Sequence, residues 1–266
     1  RLPGVPSTKQ SLAILAIVTA LLGGAYVAGI FDSRPPSDPT AERLAHQAAN
    51  ATAEVPAYSF TVGGSVTVER GGDEKQASYW GHGGFNRSER RYRIEIGLAD
   101  DRETRFLQGR TRYTPCPYSR YVNVANVSYA TELPQNRSWT TDTILGGQRQ
   151  LFEFARVYDR GTSTVGGEAV RVVEVVPDQS KLASVSLSGP GEGDVEQLNR
   201  NADELRAMLY LSPETHLPRR VVVHRERGGF GRPSIEERIV YDFTYGSNSV
   251  ERPPRTVDNE SACPTP

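Results

Sequence analysis

The chain has 266 residues, 24% of them charged, and 31 Lys and Arg against 32 Asp and Glu leave a formal net charge of -1. That length accommodates one large or two small domains with a real core. So even a balance of charge gives no support to nucleic-acid binding or to an acidic-partner role.

Residues 1–10 read as a short cytoplasmic N-terminus. Residues 11–31, "SLAILAIVTALLGGAYVAGIF", carry no charge. As a helix at 1.5 Å per residue this run would be about 31 Å long, enough to cross a bilayer. The alternative is a cleavable signal peptide. Against it, the apolar run exceeds the usual signal core, and Tyr26 would stand at the third position before a cut after Ala28, where small residues are wanted. Arg1 and Lys9 precede the span, and Asp32 and Arg34 follow it, a slight bias toward an inside N-terminus. The expectation is an uncleaved signal anchor: a single-pass protein of the cell membrane with its bulk facing outside. Residues 32–39, "DSRPPSDP", are then a stiff linker.

N-x-[ST] sequons stand at Asn50, Asn86, Asn126, Asn136 and Asn259. Nine Asn in a chain with this Ser and Thr content would yield about one or two by chance. Five point to a glycosylated exterior, archaeal or eukaryotic more than a bacterial periplasm. The two cysteines, Cys116 and Cys263, permit one disulfide there, pinning the tail to the loop around "YTPCPYSRY"; two free thiols are the alternative.

From residue 40 the domain proper begins, and it is expected to run to residue 246. Thr40 can N-cap "AERLAHQAANATAEV", a helix by its alanine content with Leu44, Ala48 and Ala51 on one stripe, stopped by Pro56. "YSFTVGGSVTVE", residues 58–69, then alternates almost without fault. Tyr58, Phe60, Val62, Val66 and Val68 share one face of a strand whose other face is polar. "GGD" at 71–73 closes a hairpin onto 76–86, and "RYRIEI" puts Tyr92, Ile94 and Ile96 on one side. Further strands follow through "TRFLQG" and "TRYTP", before a stretch at 114–140 that reads as irregular.

"DTILGGQRQLFEFARV" predicts a helix or a pair of turns, and "VYDRGTSTVGGEAVRVVEVVPD" a hairpin about Gly166-Gly167. "GEGDVEQLNRNADELRAM" reads as a polar helix capped by Asp194 and inserted between strands. In the closing strand "SIEERIVYDFTYG", Ile235, Ile239, Tyr241, Phe243 and Tyr245 share a face. Residues 247–266 are a polar, proline-bearing tail that either lies over the domain or is disordered. The count is nine to eleven antiparallel strands and two or three modest helices, a mainly β (α+β) fold. That is more one-faced sheet than the helices can cover, which suggests one sheet curled on itself around an apolar space.

Catalysis finds no support. None of His46, His82, His216 and His224 has a second ligand at metal spacing, "SLSGPGEG" lacks the context of a nucleophile turn or phosphate loop, and no carboxylate pair stands out. "RSERRYR", residues 87–93, either meets anionic headgroups or pairs with Glu89 and Glu95 on an exposed face, the latter being the favoured reading. No cofactor is implied. The candidate ligand-lining residues are Tyr58, Phe60, Val62, Val66, Tyr92, Ile94, Ile96, Phe106, Ile239, Tyr241 and Phe243. Phe85 and Tyr113 fall on inner faces by the same alternation.

Three segments together resemble the LolA/LolB/LppX superfamily of lipoprotein and lipid carriers, which includes RseB-type regulators. They are a short helix running into "YSFTVGGSVTV", the hairpin "STVGGEAVRVVEVVPD", and "LYLSPETHLPRRVVVHRE" followed by "IEERIVYDFTYG". In the last, the family's D-x-x-T-x-L-P turn is present with Ser212 for Asp and with Thr215, Leu217 and Pro218 kept. The resemblance spans about residues 40–246. It implies a half-open antiparallel barrel under a helical lid, no catalysis, and a cavity that holds acyl chains or a lipidated protein. A membrane tether favours holding lipid near the membrane over shuttling it. The alternative is a non-catalytic sensor whose polar insert at 190–206 contacts another envelope protein, as in RseB-type relatives.

Overall fold

The alternation of residues 58–69 is realised in a strand, β1 (Ala57–Arg70), that lies in the middle of a twelve-stranded sheet. The computed structural model describes residues 35–98, 101–116, 127–133, 135, 139–140, 143–146, 149, 155–178, 204–228, 233–253 and 255–263. The span at 11–31, Asn126, Asn136 and residues 190–203 of the polar insert lie outside them. Among the described residues no helix is long and apolar enough to cross a membrane.

The chain enters through helix α1 (Pro39–Glu54). Its N-cap is Asp38, not Thr40: the Asp38 carboxylate accepts from the backbone N–H of Thr40 at 2.7 Å, and Pro39 occupies the first turn. The first turn has unbonded N–H groups that a carboxylate satisfies, and proline has no N–H to lose there. The buried stripe is Ala41, Ala45 and Ala48, with Leu44 half-buried beside it. At the other end Arg87 donates to the carbonyls of Ala53 and Val55, the helix's last acceptors. That contact half-buries one arginine of "RSERRYR", while Arg91 pairs with Glu89 and Arg93 with Glu95.

After β1 come β2 (Asp73–Asn86), β3 (Arg91–Leu98), β4 (Asp101–Gln108), β5 (Thr111–Pro115) and β6 (Val127–Glu132). A second run follows as β7 (Ala155–Val165), β8 (Glu168–Pro177), β9 (Glu204–Leu211), β10 (Pro218–Arg227), β11 (Ser234–Tyr245) and β12 (Arg255–Val257). Their order across the sheet is β12-β6-β5-β4-β3-β2-β1-β11-β10-β9-β8-β7. β1 and β11 thus join the two meanders, pairing from Tyr58↔Tyr245 to Glu69↔Ser234.

Besides β12, which lies in the expected polar tail, β6 and β9 depart from the sequence reading. β6 falls inside the stretch expected to be irregular, because a short strand near an edge needs only β5 as a template and little apolar alternation of its own. β9 takes "ELRAM" out of the expected polar helix. Its helix-forming residues yield to pairing with β8 and β10, which buries Leu205, Ala207, Leu209 and Leu211 on alternate positions.

The sheet is open and curled. Buried side chains from Leu107 on β4 across to Val157 on β7 form one contiguous cluster with α1, which a flat sheet of that width could not do. The concave positions of β2 are Tyr79, Gly81, Gly83 and Phe85. A Cβ at Gly83 would stand 2.3 Å from both Phe60 Cζ and the Arg93 carbonyl, so only glycine lets Phe60 lie there. His82, between those glycines in "GHGGF", is exposed.

The tail belongs to the domain. Asn248 donates to the Tyr58 carbonyl, Val250 is buried, and β12 pairs parallel with Val127–Tyr129 of β6. A 3-10 turn at Glu260–Ala262, capped by Asn259, then leads to the Cys116–Cys263 disulfide, with Cα atoms 5.6 Å apart. Of the remaining sequon residues, Asn50 is exposed, and Asn86 donates its amide to the Asn248 carbonyl.

Candidate ligand site on the concave face

Strand pairing places most of the candidate lining residues side by side. Phe60 faces Phe243 and, across Gly83, Ile94; Val62 faces Tyr241 and, across Gly81, Ile96. Ile239 and Gly64 form the next row, and Val66 the one beyond. Rings stack through the interior: Tyr58 on Phe85 at 5.0 Å between centroids, Phe85 on Trp139 at 5.2 Å, Phe60 on Tyr92 at 6.1 Å.

Phe106 is the exception. Register pairs it with Arg93 and Tyr113, which puts it on the convex face, while its neighbour Leu107 joins the concave cluster. It is buried there, on the face where the tail crosses at Val250 and Glu251 against Arg91 and Arg93. In "RFLQ" two adjacent apolar residues left the parity open. Tyr113, expected inside, stands with Phe106 at 5.5 Å between ring centroids.

Helix α1 and the turn at 143–146 cover this face. Asp38 N–H donates to the Val157 carbonyl on edge strand β7, and the helix then crosses to the start of β1. Ile144 and Leu145 bury against the same cluster. The covered lining residues are at most 9% exposed, except Val66, which is half-buried. A cavity of about 50 Å³ remains between Thr52, Tyr58, Phe85, Arg87 and Thr143. It is large enough for a few waters and well short of the roughly 300–1,000 Å³ of a small-molecule pocket. Burial raises the pKa of Tyr58 and Tyr92 and pushes Tyr241 up to about 12, so these phenols stay neutral.

One row toward the β1–β2 hairpin, the apolar face is interrupted. Leu205, Arg225, Glu237 and Val66 stand in line across β9, β10, β11 and β1. Arg225 Nε lies 3.2 Å from Glu237 Oε2, with both side chains 8% exposed. The Tyr79 hydroxyl donates to Glu237 Oε1 at 3.0 Å, and burial, reinforced by the Glu237 charge, holds the Tyr79 pKa high. None of these three was singled out from sequence. The signal was there: Glu237 breaks the run Ile235, Ile239, Tyr241, Phe243 at an inward position, and Arg225 does the same in "RRVVVHRE".

The "SPETHLP" segment is a turn device. Ser212 N–H donates to the Leu217 carbonyl, and His216 sits at φ 58°. His46 and His82 are exposed, and among the described residues no cluster of His, Cys, Asp or Glu could hold a metal ion.

Fold and site together define a class: an open, curled antiparallel sheet with an aromatic concave face under an alanine-faced helix. No family model matches the chain, and no curated protein matches it significantly. Among solved structures it is similar to LprF from Mycobacterium bovis, at 11% identity over 82% of this chain and 99% of that one, with a TM-score of 0.46. It is also similar to the lipoprotein LppX from Mycobacterium tuberculosis (14%, 81% and 100%, TM-score 0.44). A LolA superfamily protein from Nitrosomonas europaea follows at 13%, 77% and 91%, with a TM-score of 0.26. The superfamily that the sequence resembles is therefore represented among these structures.

Proposed function

We propose that the chain is a membrane-anchored, extracytoplasmic lipid- or lipoprotein-binding protein that holds acyl chains on its concave face, and that it is not an enzyme. The observation that supports this reading is the way the face is covered. α1 lays down Ala41, Ala45 and Ala48, three methyl groups worth roughly 0.8 kcal/mol each, over a surface of large aromatic and branched side chains. A helix that interdigitates so little can lift at modest cost, and an acyl chain can then take its place against Phe60, Tyr241 and Phe243. The resemblance of residues 40–246 to lipid carriers points the same way. The apolar span at 11–31 would keep the site beside the membrane.

Native mass spectrometry of the chain after gentle purification tests the reading, with bound lipid expected. A clean unliganded mass, together with no uptake of a fluorescent fatty acid, would count heavily against it.

The second reading is a sensor or interaction module, favoured by Trp80. It is 48% exposed on the convex face, against Gly97, and is the one large apolar side chain so exposed among the described residues. Pull-down from native membranes separates the readings: a stoichiometric protein partner lost in Trp80→Glu, with no bound lipid, favours the second.

A further inference from the structure

From the buried Arg225, we infer that the concave face carries a polar anchor for the anionic headgroup, phosphate or carboxylate, of a lipid whose chain lies along Ile239 and Tyr241; this rests on the lipid-binding reading above.

Arg225 stands on the inward side of β10, between Leu205 and Glu237, one row from Ile239. Its side chain is more than nine-tenths buried, yet two of its three nitrogens make no hydrogen bond. Nη1 is buried without a hydrogen-bond partner, and Nε approaches Glu237 Oε2 at 3.2 Å without an aligned bond. Glu237 is better satisfied, since Tyr79 donates to its other oxygen. An ion pair taken out of water is favourable only when geometry is good and the remaining protons find acceptors. This pair meets neither condition on the arginine side. A guanidinium carries five N–H groups in a rigid fork that matches carboxylate and phosphate oxygens. Here that fork is held by the sheet, is kept from water, and has donors unspent beside an apolar floor.

The position suits an amphiphile. Val66 in the same row is half-buried, and Ala77, opposite it on β2, is exposed, so the row lies at the mouth of the concave face. Beyond it, Ile239, Tyr241 and Phe243 follow along β11 and share one buried cluster with the α1 alanines. A headgroup oxygen accepting from Arg225 would therefore place its chain along the aromatic row. The second carboxylate oxygen of Glu237 stays with Tyr79, which keeps Glu237 from following the arginine. Glu237 is the internal competitor: it occupies Arg225 electrostatically when no ligand is present.

The test uses three probes on the purified full chain: oleate, oleyl alcohol and inorganic phosphate, each titrated calorimetrically. Oleate and oleyl alcohol share a chain and differ in charge; phosphate has the charge and no chain. Oleate is expected to bind about tenfold or more tighter than oleyl alcohol, the range of one charge-assisted hydrogen bond. Arg225→Gln should abolish that margin, and Glu237→Gln should widen it. Where Arg225→Gln fails to fold, the double variant Arg225→Gln/Glu237→Gln, which leaves no charge unpaired, carries the same comparison. A folded variant lacking Arg225 that keeps the oleate margin overturns the anchor and leaves lipid binding standing. Phosphate binding as tight as oleate overturns the headgroup assignment in favour of a free-anion site. If neither oleate nor oleyl alcohol binds, lipid binding itself fails, and the anchor with it.

Discussion

The ring of Tyr79 lies across the backbone of Gly64 on the neighbouring strand: a Cβ at Gly64 would stand 2.3 Å from Tyr79 Cζ and 2.5 Å from its hydroxyl oxygen. Only through that gap does the hydroxyl of β2 reach Glu237 on β11, two strands away. Gly64→Ala must therefore displace the ring. The expected loss is about 1–3 kcal/mol from overpacking, plus about 1.5–3 kcal/mol for a hydrogen bond to a charged group. In a Tyr79→Phe background the same alanine should cost less, because the bond is already gone. Additive losses in denaturant melts would show that Gly64 and Tyr79 do not act together.

Phe60 is 3% exposed and packs against Tyr92 and Phe243. In lipid-free protein, Phe60→Ala should cost about 3–5 kcal/mol, the figure for a filled core rather than an open pocket. A fatty acid at a hundred times its Kd should return about 2.7 kcal/mol of that. A loss under about 2 kcal/mol, compared with the same figure for packed Phe, would mean that the interior is already open.

Ala45 sits at the centre of the helix face that covers the sheet. Ala45→Leu should push α1 outward at a cost of about 1–3 kcal/mol and speed association of oleate in stopped-flow measurements. Destabilisation with an unchanged association rate would deprive α1 of a lid role.

The Cys116–Cys263 bond spans a sequence separation of 147 and ties the tail, through β12, to the β5–β6 edge. Replacing both cysteines by alanine should cost about 2–5 kcal/mol. Faster hydrogen exchange is expected at Arg255–Val257 and β6, with β1 and β11 little changed. Equal exchange everywhere would make the tail's attachment independent of the bond.

On the convex face His224 stands between Arg206 and Arg238. Burial first, then these two arginines, lower its pKa below the ordinary 6.5, against the opposing pull of Glu236 and Glu226. A depressed folded-state value means that the unfolded chain takes up the proton first. Stability should thus fall as pH drops from about 6.5 toward the folded value and level off below it. His224→Gln should flatten that part of the stability–pH curve. An unaltered curve would remove His224 as its source.

Much of this molecule is local and could be read in one dimension. The period-two alternation of 58–69 and of 235–245 marks strands, because successive side chains leave on opposite faces, and Gly71-Gly72 and Gly166-Gly167 mark turns, because positive φ there needs no Cβ. The inward aromatics Tyr58, Phe60, Tyr241 and Phe243 follow from the same counting. Alternation states that two faces exist; it does not say which one a neighbouring strand, the curl or the tail will cover. Phe106 went to the convex side for that reason, since it and Leu107 were equally apolar and pairing with Arg93 decided between them. β12 exists as a strand only because β6, distant in sequence, offers it hydrogen bonds, and β6 because β5 does. Arg225 and Glu237 are twelve residues apart, and although each interrupts an inward apolar run in its own segment, neither segment shows that the two meet. The register of β10 against β11 sets them opposite each other on the concave side, and the gap at Gly64 brings Tyr79 to them. Those contacts join four strands at once, and no single segment contains them.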